Sequence, residues 1–234
     1  MDETTESPQP IVTLAAPALV RPLALVMAVV VVSGVAVECL KAPLGLDAHN
    51  GVLPMFSLSY EWNIPTLYSA ALLGLCSLTL GLVAHVSRLT KQPYVGRWRL
   101  LSLGFAYIAV DEVLQLHEHA DALVSLNHIF YFDWIVPAGV LLVVLALFYV
   151  PFLRWLPSRD RNRFVLAGVI YVGGAVAMEI PLGWWTSHHG QENLGYALID
   201  AVEESLEMLG LNLFLLSLVD YLASRSASLR FEKA

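Results

Sequence analysis

Six long apolar stretches, separated by short polar segments, organise the chain. They cover residues 22–40, 64–86, 100–119, 132–153, 164–182 and 198–223. A helix that crosses a bilayer needs about 20 predominantly apolar residues, and each stretch meets that need. The pattern predicts an all-α, polytopic membrane protein built as a six-transmembrane-helix bundle over residues 21–224. Residues 1–20 are expected to form a disordered cytoplasmic tail, and residues 225–234 a second one.

Composition supports the membrane class and excludes others. The chain is 57% apolar and 14% charged, with a formal net charge of −7 and a mean hydropathy of +0.66. Soluble domains carry about 25% charged residues. The acidic balance argues against nucleic acid as a partner, whereas membrane lipids are expected ones. The two cysteines, Cys39 and Cys76, lie at different depths, and we expect no disulfide between them.

The basic residues orient the predicted helices. Twelve of the 13 Lys and Arg residues fall in the two tails and in the loops after the second and fourth stretches. The positive-inside rule makes that side cytoplasmic. We therefore expect a multi-pass protein of a bacterial inner membrane with both termini inside. Trp98 and Trp155 suit an inner aromatic belt, and Asp220 is expected to meet an inner basic residue such as Arg225.

The third stretch carries acidic, amide and imidazole groups deep in an apolar segment. At about 100° per residue, Asp111, Gln115 and Glu118 share one helix face, which Glu112 and His119 extend. Ionised carboxyls at that depth cost at least about 2.5–3.5 kcal/mol each on insertion scales. We expect this face to line a wet cavity, share protons or bind a cation. The alternative is a hydrogen-bonded polar interior of the bundle.

Other stretches bring acids to a similar height. Four lie on one face of the sixth stretch, and that face becomes apolar toward the cytoplasm, which predicts an outward-facing pocket. Asn63 is placed to cap the second helix, with Pro65 in its first turn. For the acids near helix ends, solvation or compensation of the helix dipole is the alternative. The further acids are Glu38, Glu61, Glu179, Asp200, Glu203, Glu204 and Glu207.

Carboxyl and imidazole groups together suit Mn²⁺, Fe²⁺ or Zn²⁺, and oxygen ligands alone suit Ca²⁺. We therefore expect a divalent metal in the pocket. An enzyme built this way would use the metal to activate water or an oxidant, with Glu112 or Glu118 as general base, on a lipid-like substrate. The expected metal ligands are Asp111, Glu112, Gln115, Glu118, His119, Glu61, Glu179, Glu203, Glu204 and Glu207.

Two other functions remain open at this point. A proton- or cation-coupled transporter would use Asp111 and Glu112 as its midplane site, although the cytoplasmic halves of the third and sixth stretches are apolar. A non-catalytic partner subunit would use the acids to dock another membrane protein or a second copy of the chain. The sequence contains neither a Glu-x-x-His pair nor His-Glu-x-x-His, so it lacks the di-iron bundle and zinc-protease signatures.

Three segments resemble parts of an uncharacterised family of bacterial six-helix membrane proteins. They are Glu61-Trp62-Asn63-Ile64-Pro65-Thr66, Asp111-Glu112 through His117-Glu118, and Glu203-Glu204 through Glu207-Met208. The spacing of the apolar stretches is similar throughout. The resemblance implies the multi-span fold and carries no known activity.

Overall fold

The computed structural model describes residues 16–44, 51–116 and 134–225. These residues form six helices and one short 3₁₀ turn, Leu53–Met55. The all-α prediction is therefore confirmed. The helices are α1 (Ala16–Leu44), α2 (Ile64–Leu89), α3 (Val95–Leu114), α4 (Ile135–Trp155), α5 (Ser158–His189) and α6 (Leu194–Arg225).

Five of these helices, all except α3, are long and apolar enough to cross a membrane. The chain is a multi-span membrane protein. We predicted six spans, and α3 differs because its 20 residues carry Arg97 and Arg99 near one end and Asp111 and Glu112 near the other. It packs extensively against α2. The lipid-facing surface is apolar, as shown by exposed side chains such as Leu25 on α1, because lipid tails solvate apolar groups.

Local signals set several helix ends. Asn63 caps α2 as predicted, its side chain accepting a hydrogen bond from the Thr66 N–H at 3.1 Å. Helix α3 was predicted to continue to His119, but it ends at Leu114, where Gln115 adopts a left-handed conformation with φ of 53°. The fifth helix was predicted to end at residue 182 and continues to His189.

Helix α6 is the central element of the bundle, since it contacts α1, α2 and α5. Its half nearer the C-terminus packs into a core rich in aromatic rings. Trp98 was predicted to lie in an interfacial belt, but it is only 1% exposed. Its ring centroid lies 4.7 Å from that of Phe152 and 5.2 Å from that of Tyr221. This aromatic core closes the end of the bundle that carries the arginines.

As predicted, Asp220 meets basic residues of the arginine-bearing side, although its partners are not Arg225, the residue named as an example. It forms ion pairs with Arg163 and, at 3.2 Å, with Arg159, both on the first turns of α5. Arg225 instead donates a hydrogen bond to Gln92 at 2.9 Å, and its guanidinium lies 4.3 Å from the ring centroid of Tyr221. The ion pairs therefore join α5 to α6.

Candidate functional site

The segment before α2 folds back onto α1 through a buried polar contact. The ammonium of Lys41 lies 2.6 Å from Oε1 of Glu38, and the Ser57 hydroxyl donates to the same oxygen at 2.5 Å. The Lys41 side chain is 14% exposed and that of Glu38 is 6% exposed. Lys41 also lies 4.2 Å from the ring centroid of Tyr60. These contacts fix the segment against the end of α1 that lies opposite the arginines.

Asn63 holds the same segment together from within. Its side-chain amide donates to the carbonyls of Pro54, at 3.1 Å, and Ser57, at 2.7 Å. Asn63 alone thus caps α2 and holds the preceding turns in place by hydrogen bonds, since an amide has both an acceptor and two donors. The Thr66 hydroxyl donates to Glu61 at 3.2 Å, which positions this carboxyl at the start of α2.

The end of α3 meets this segment. The Trp62 indole N–H donates to Oε1 of Gln115 at 3.2 Å. Because that oxygen already accepts a hydrogen bond, the contact gives Gln115 a structural partner and weakens the case for it as a metal ligand. Asp111 and Glu112 lie in the last turn of α3, and the charge of Glu112 interacts with those of Glu61 and Asp111.

Helix α5 approaches α6 through a π-helical stretch, Gly173–Met178. A Cβ on Gly174 would lie 2.8 Å from the backbone oxygen of Glu203 and 3.0 Å from the backbone nitrogen of Glu207. Only glycine permits this approach of the two backbones. π-Helical turns inside α-helices often mark functional sites. Here the stretch separates Tyr171 from Glu179, and both interact electrostatically with Glu207.

Four acids on α6 face these elements. Asp200 and Glu203 are 9% and 8% exposed, and Glu204 and Glu207 are partly buried. The charge of Glu207 interacts with that of Glu112 on α3. We call the following set the acidic cluster: Glu61, Glu112, Glu179, Asp200, Glu203, Glu204 and Glu207.

The acidic cluster has little internal compensation of charge. The charged neighbours that the described residues supply to Glu204 and Glu207 are acidic. The positive charge of Lys41 interacts with Asp200 at the edge of the cluster, but Lys41 is already paired with Glu38. Buried charges are ordinarily paired or bound to metal. Several carboxyls this close together therefore need protons or a cation.

Two carboxyl oxygens on α6 are buried and accept no hydrogen bond from the part of the chain that the structure describes. Oδ2 of Asp200 and Oε2 of Glu203 have no hydrogen-bond partner among the described residues. Ser59 is the polar neighbour of Asp200, but its hydroxyl is also without a partner of ordinary geometry in that part of the chain. Each such group costs about 1–3 kcal/mol, and more when it is charged. These oxygens are free to accept a proton or a ligand.

One polar pair lies below the cluster, on the side of the aromatic core. The Asn212 amide donates to the Tyr68 hydroxyl at 2.9 Å and to the Met208 carbonyl at 2.8 Å. Beyond this pair, Leu211, Phe214 and Leu218 lie in the core. The apolar lower face of α6 that the sequence predicts is therefore buried packing.

The structure brings together six of the ten predicted metal ligands: Glu61, Glu112, Glu179, Glu203, Glu204 and Glu207. Asp111 interacts with Glu112 and Tyr171 at the edge of this group. Glu118 and His119 lie outside the described residues. In residues 16–44, 51–116 and 134–225, no three His, Cys, Asp or Glu side chains are arranged to hold a metal ion.

Sequence reasoning missed two features of the site. Tyr171 interacts with Glu207, Glu112 and Glu204, although an isolated tyrosine in an apolar stretch gave no signal. Gly173 and Gly174 were the available signal, because a pair of glycines in a helix indicates the close approach of another helix. The contact of Lys41 with Glu38 had an i,i+3 spacing that a helix brings together.

A family described as "Domain of unknown function (DUF8692)" matches residues 23–222. The chain belongs to this family, and the match includes every residue of the acidic cluster. The sequence resembled an uncharacterised family of membrane proteins. The match to a domain of unknown function over most of the chain agrees with that resemblance. No curated protein matches the chain, and no solved structure matches it.

Proposed function

We propose that this member of the DUF8692 family binds a divalent cation in the acidic cluster. The observation that carries the proposal is the placement of Glu204 and Glu207 among acidic neighbours on α3, α6 and the segment before α2. Like charges at short range raise each other's energy, and the effect grows as the effective dielectric constant falls. A doubly charged ion offsets two of these negative charges.

The buried oxygens support a ligand as well as protons. Oδ2 of Asp200 and Oε2 of Glu203 lack partners among the described residues, and both side chains are more than nine-tenths buried. A divalent cation or its bound water supplies the missing interaction. Protonation alone converts each group to a donor that still needs an acceptor.

Oxygen-rich surroundings define the class of ion. Carboxyl ligands suit Ca²⁺ or Mn²⁺, and an imidazole added from the chain after α3 would favour Mn²⁺, Fe²⁺ or Zn²⁺. The proposed ligands are Glu112 on α3 and Glu204 and Glu207 on α6. Glu61 and Glu179 lie close enough to interact electrostatically with Glu207. Glu side chains rotate about three bonds, so carboxyls on facing helices can converge on one ion.

The position of the cluster favours a site that opens to one face of the membrane. The arginine-bearing end of the bundle is closed by the aromatic core around Trp98, and the positive-inside rule places that end in the cytoplasm. The acidic cluster then lies toward the outer face. A transporter needs a second path past Phe214 and Leu218, and both are buried. The assignment of Glu112 and Glu118 as general bases stays a prediction.

The test measures how divalent ions change the stability of the detergent-purified chain. Mn²⁺, Zn²⁺ or Ca²⁺ should raise the unfolding midpoint of the wild type, since a ligand at 100 times its Kd stabilises by about 2.7 kcal/mol. Glu207→Gln should remove most of that gain. In chelator, however, it should be at least as stable as the wild type, because one repelling charge is gone.

Glu192→Gln is the matched control. It removes the same charge from an exposed residue in the turn between α5 and α6, and it should respond to cations as the wild type does. The proposal fails if none of the three ions stabilises the wild type. It also fails if Glu207→Gln and Glu192→Gln respond equally.

A further inference from the structure

A second site lies at the opposite end of the bundle, where α1, α5 and α6 meet. A groove of about 470 Å³ runs between the start of α1, the start of α5 and the later part of α6. Its walls are apolar and include Val20, Leu166 and Leu213. Arg159, Arg163 and Asp220 lie along the same groove. It thus combines an apolar channel with a polar end.

The polar end carries excess positive charge. Arg159 and Arg163 share a single carboxyl, that of Asp220, which leaves a net charge of +1 by formal count. Their side chains remain 71% and 44% exposed. Each guanidinium has five N–H donors, and Asp220 uses only a few of them. The arginines can therefore bind a further anion.

The level of the groove identifies the anion. The two arginines belong to the basic group after α4, at the end of the bundle where the basic residues concentrate. That is the level of lipid headgroups, and basic pockets between helices on this side bind anionic lipids. The apolar walls face the hydrocarbon, where an acyl chain lies. A soluble anion would use the arginines without the walls.

We propose that this groove binds one anionic phospholipid, with its phosphate on Arg159 and Arg163 and an acyl chain along Val20, Leu166 and Leu213. The proposal concerns a different part of the molecule from the acidic cluster. It stands on the shape, the charge and the location of the groove.

The experiment compares phosphatidylglycerol with phosphatidylcholine of the same acyl chains. Native mass spectrometry of the detergent-purified full chain counts retained lipid as each is titrated. The wild type should retain phosphatidylglycerol preferentially. Each arginine at a membrane surface changes affinity by about fivefold, so Arg159→Gln combined with Arg163→Gln should weaken binding by about 25-fold.

Two further variants make the test directional. Asp220→Asn should bind phosphatidylglycerol more tightly than the wild type, because it frees both guanidinium groups. Arg154→Gln removes the same charge from an exposed residue of α4 that does not line the groove, and it should bind as the wild type does. Equal retention of the two lipids by the wild type would overturn the proposal. Equal losses in Arg154→Gln and the double variant would overturn it as well.

Discussion

Gly174 offers the most direct test of how the bundle is assembled around the acidic cluster. It lies in the π-helical stretch of α5, directly against the backbone of α6 at Glu203 and Glu207. An added Cβ would approach the Glu203 carbonyl oxygen to 2.8 Å and Cγ of Glu207 to 2.8 Å. The first contact is with backbone, which cannot rotate away. Gly174→Ala must therefore push the two helices apart.

The size of the effect follows from these contacts. Inserting a methyl group into a closely packed interface typically costs about 1–3 kcal/mol. Gly168→Ala is the matched control, because Gly168 lies in the regular part of the same helix and an added Cβ would meet nothing within 4 Å. Alanine is favoured over glycine in a helix by about 1 kcal/mol. We therefore expect opposite signs from the same substitution six residues apart.

The assay follows tryptophan fluorescence while SDS is titrated into mixed micelles of the purified protein. Gly174→Ala should unfold at a lower SDS fraction than the wild type, and Gly168→Ala at the same fraction or a higher one. Cation-induced stabilisation should also fall in Gly174→Ala, since Glu203 and Glu207 move with the backbone. Equal stability of the two variants would refute the proposed close approach of α5 and α6.

Three other predictions concern the segment before α2 and the cysteines. Lys41→Met should lower the free energy of unfolding by about 3–5 kcal/mol, because it leaves Glu38 buried and charged; adding Glu38→Gln should recover much of the loss, and a double-mutant cycle without coupling would contradict the pair. Asn63→Ala should lower the free energy of unfolding by about 1 kcal/mol or more through the lost cap. Asn63→Asp keeps the acceptor but turns a carboxylate oxygen toward the Pro54 and Ser57 carbonyls, so it should cost more in the same unfolding assay. Cys39 is exposed and Cys76 is buried, so N-ethylmaleimide should modify Cys39 in the folded protein and Cys76 only after unfolding; equal labelling rates would contradict this.

Local features were predictable because they depend on neighbours in the chain. The cap at Asn63 follows from an amide placed just before a proline in the first turn of a helix, and the structure contains that cap. The apolar stretches predicted the helices because a helix of their length and composition can cross a bilayer. The free state of the two cysteines was predicted from their different depths and is confirmed.

Features that depend on which helices touch were not predictable from one sequence. Asp220 was expected to meet an inner basic residue such as Arg225, and it does meet inner basic residues. Which ones it meets depends on the neighbouring helix, because α5 lies beside α6 and supplies Arg159 and Arg163. Trp98 was assigned to a membrane interface, whereas its ring packs against Phe152 and is buried. A belt residue and a core residue look alike in a helix that is apolar on most sides.

The acidic cluster contains both features that the sequence predicts and features that it does not. The carboxyls on α6 share a face because their i, i+3, i+4 and i+7 spacing places them on one side of a regular helix. Tyr171 and Glu179 are eight residues apart and would be offset by about 80° at 100° per residue. The π-helical stretch between them changes that offset, and both interact electrostatically with Glu207. A regular helical wheel cannot anticipate such a change.

The metal content of the purified protein tests the central claim most directly. Inductively coupled plasma mass spectrometry, on protein purified without chelator, should find at least one divalent ion per chain in the wild type. The ion should be retained in Glu192→Gln and lost to background in the variant that combines Glu204→Gln with Glu207→Gln. A wild type with no metal above background, or a double variant with unchanged metal, would contradict cation binding by the acidic cluster.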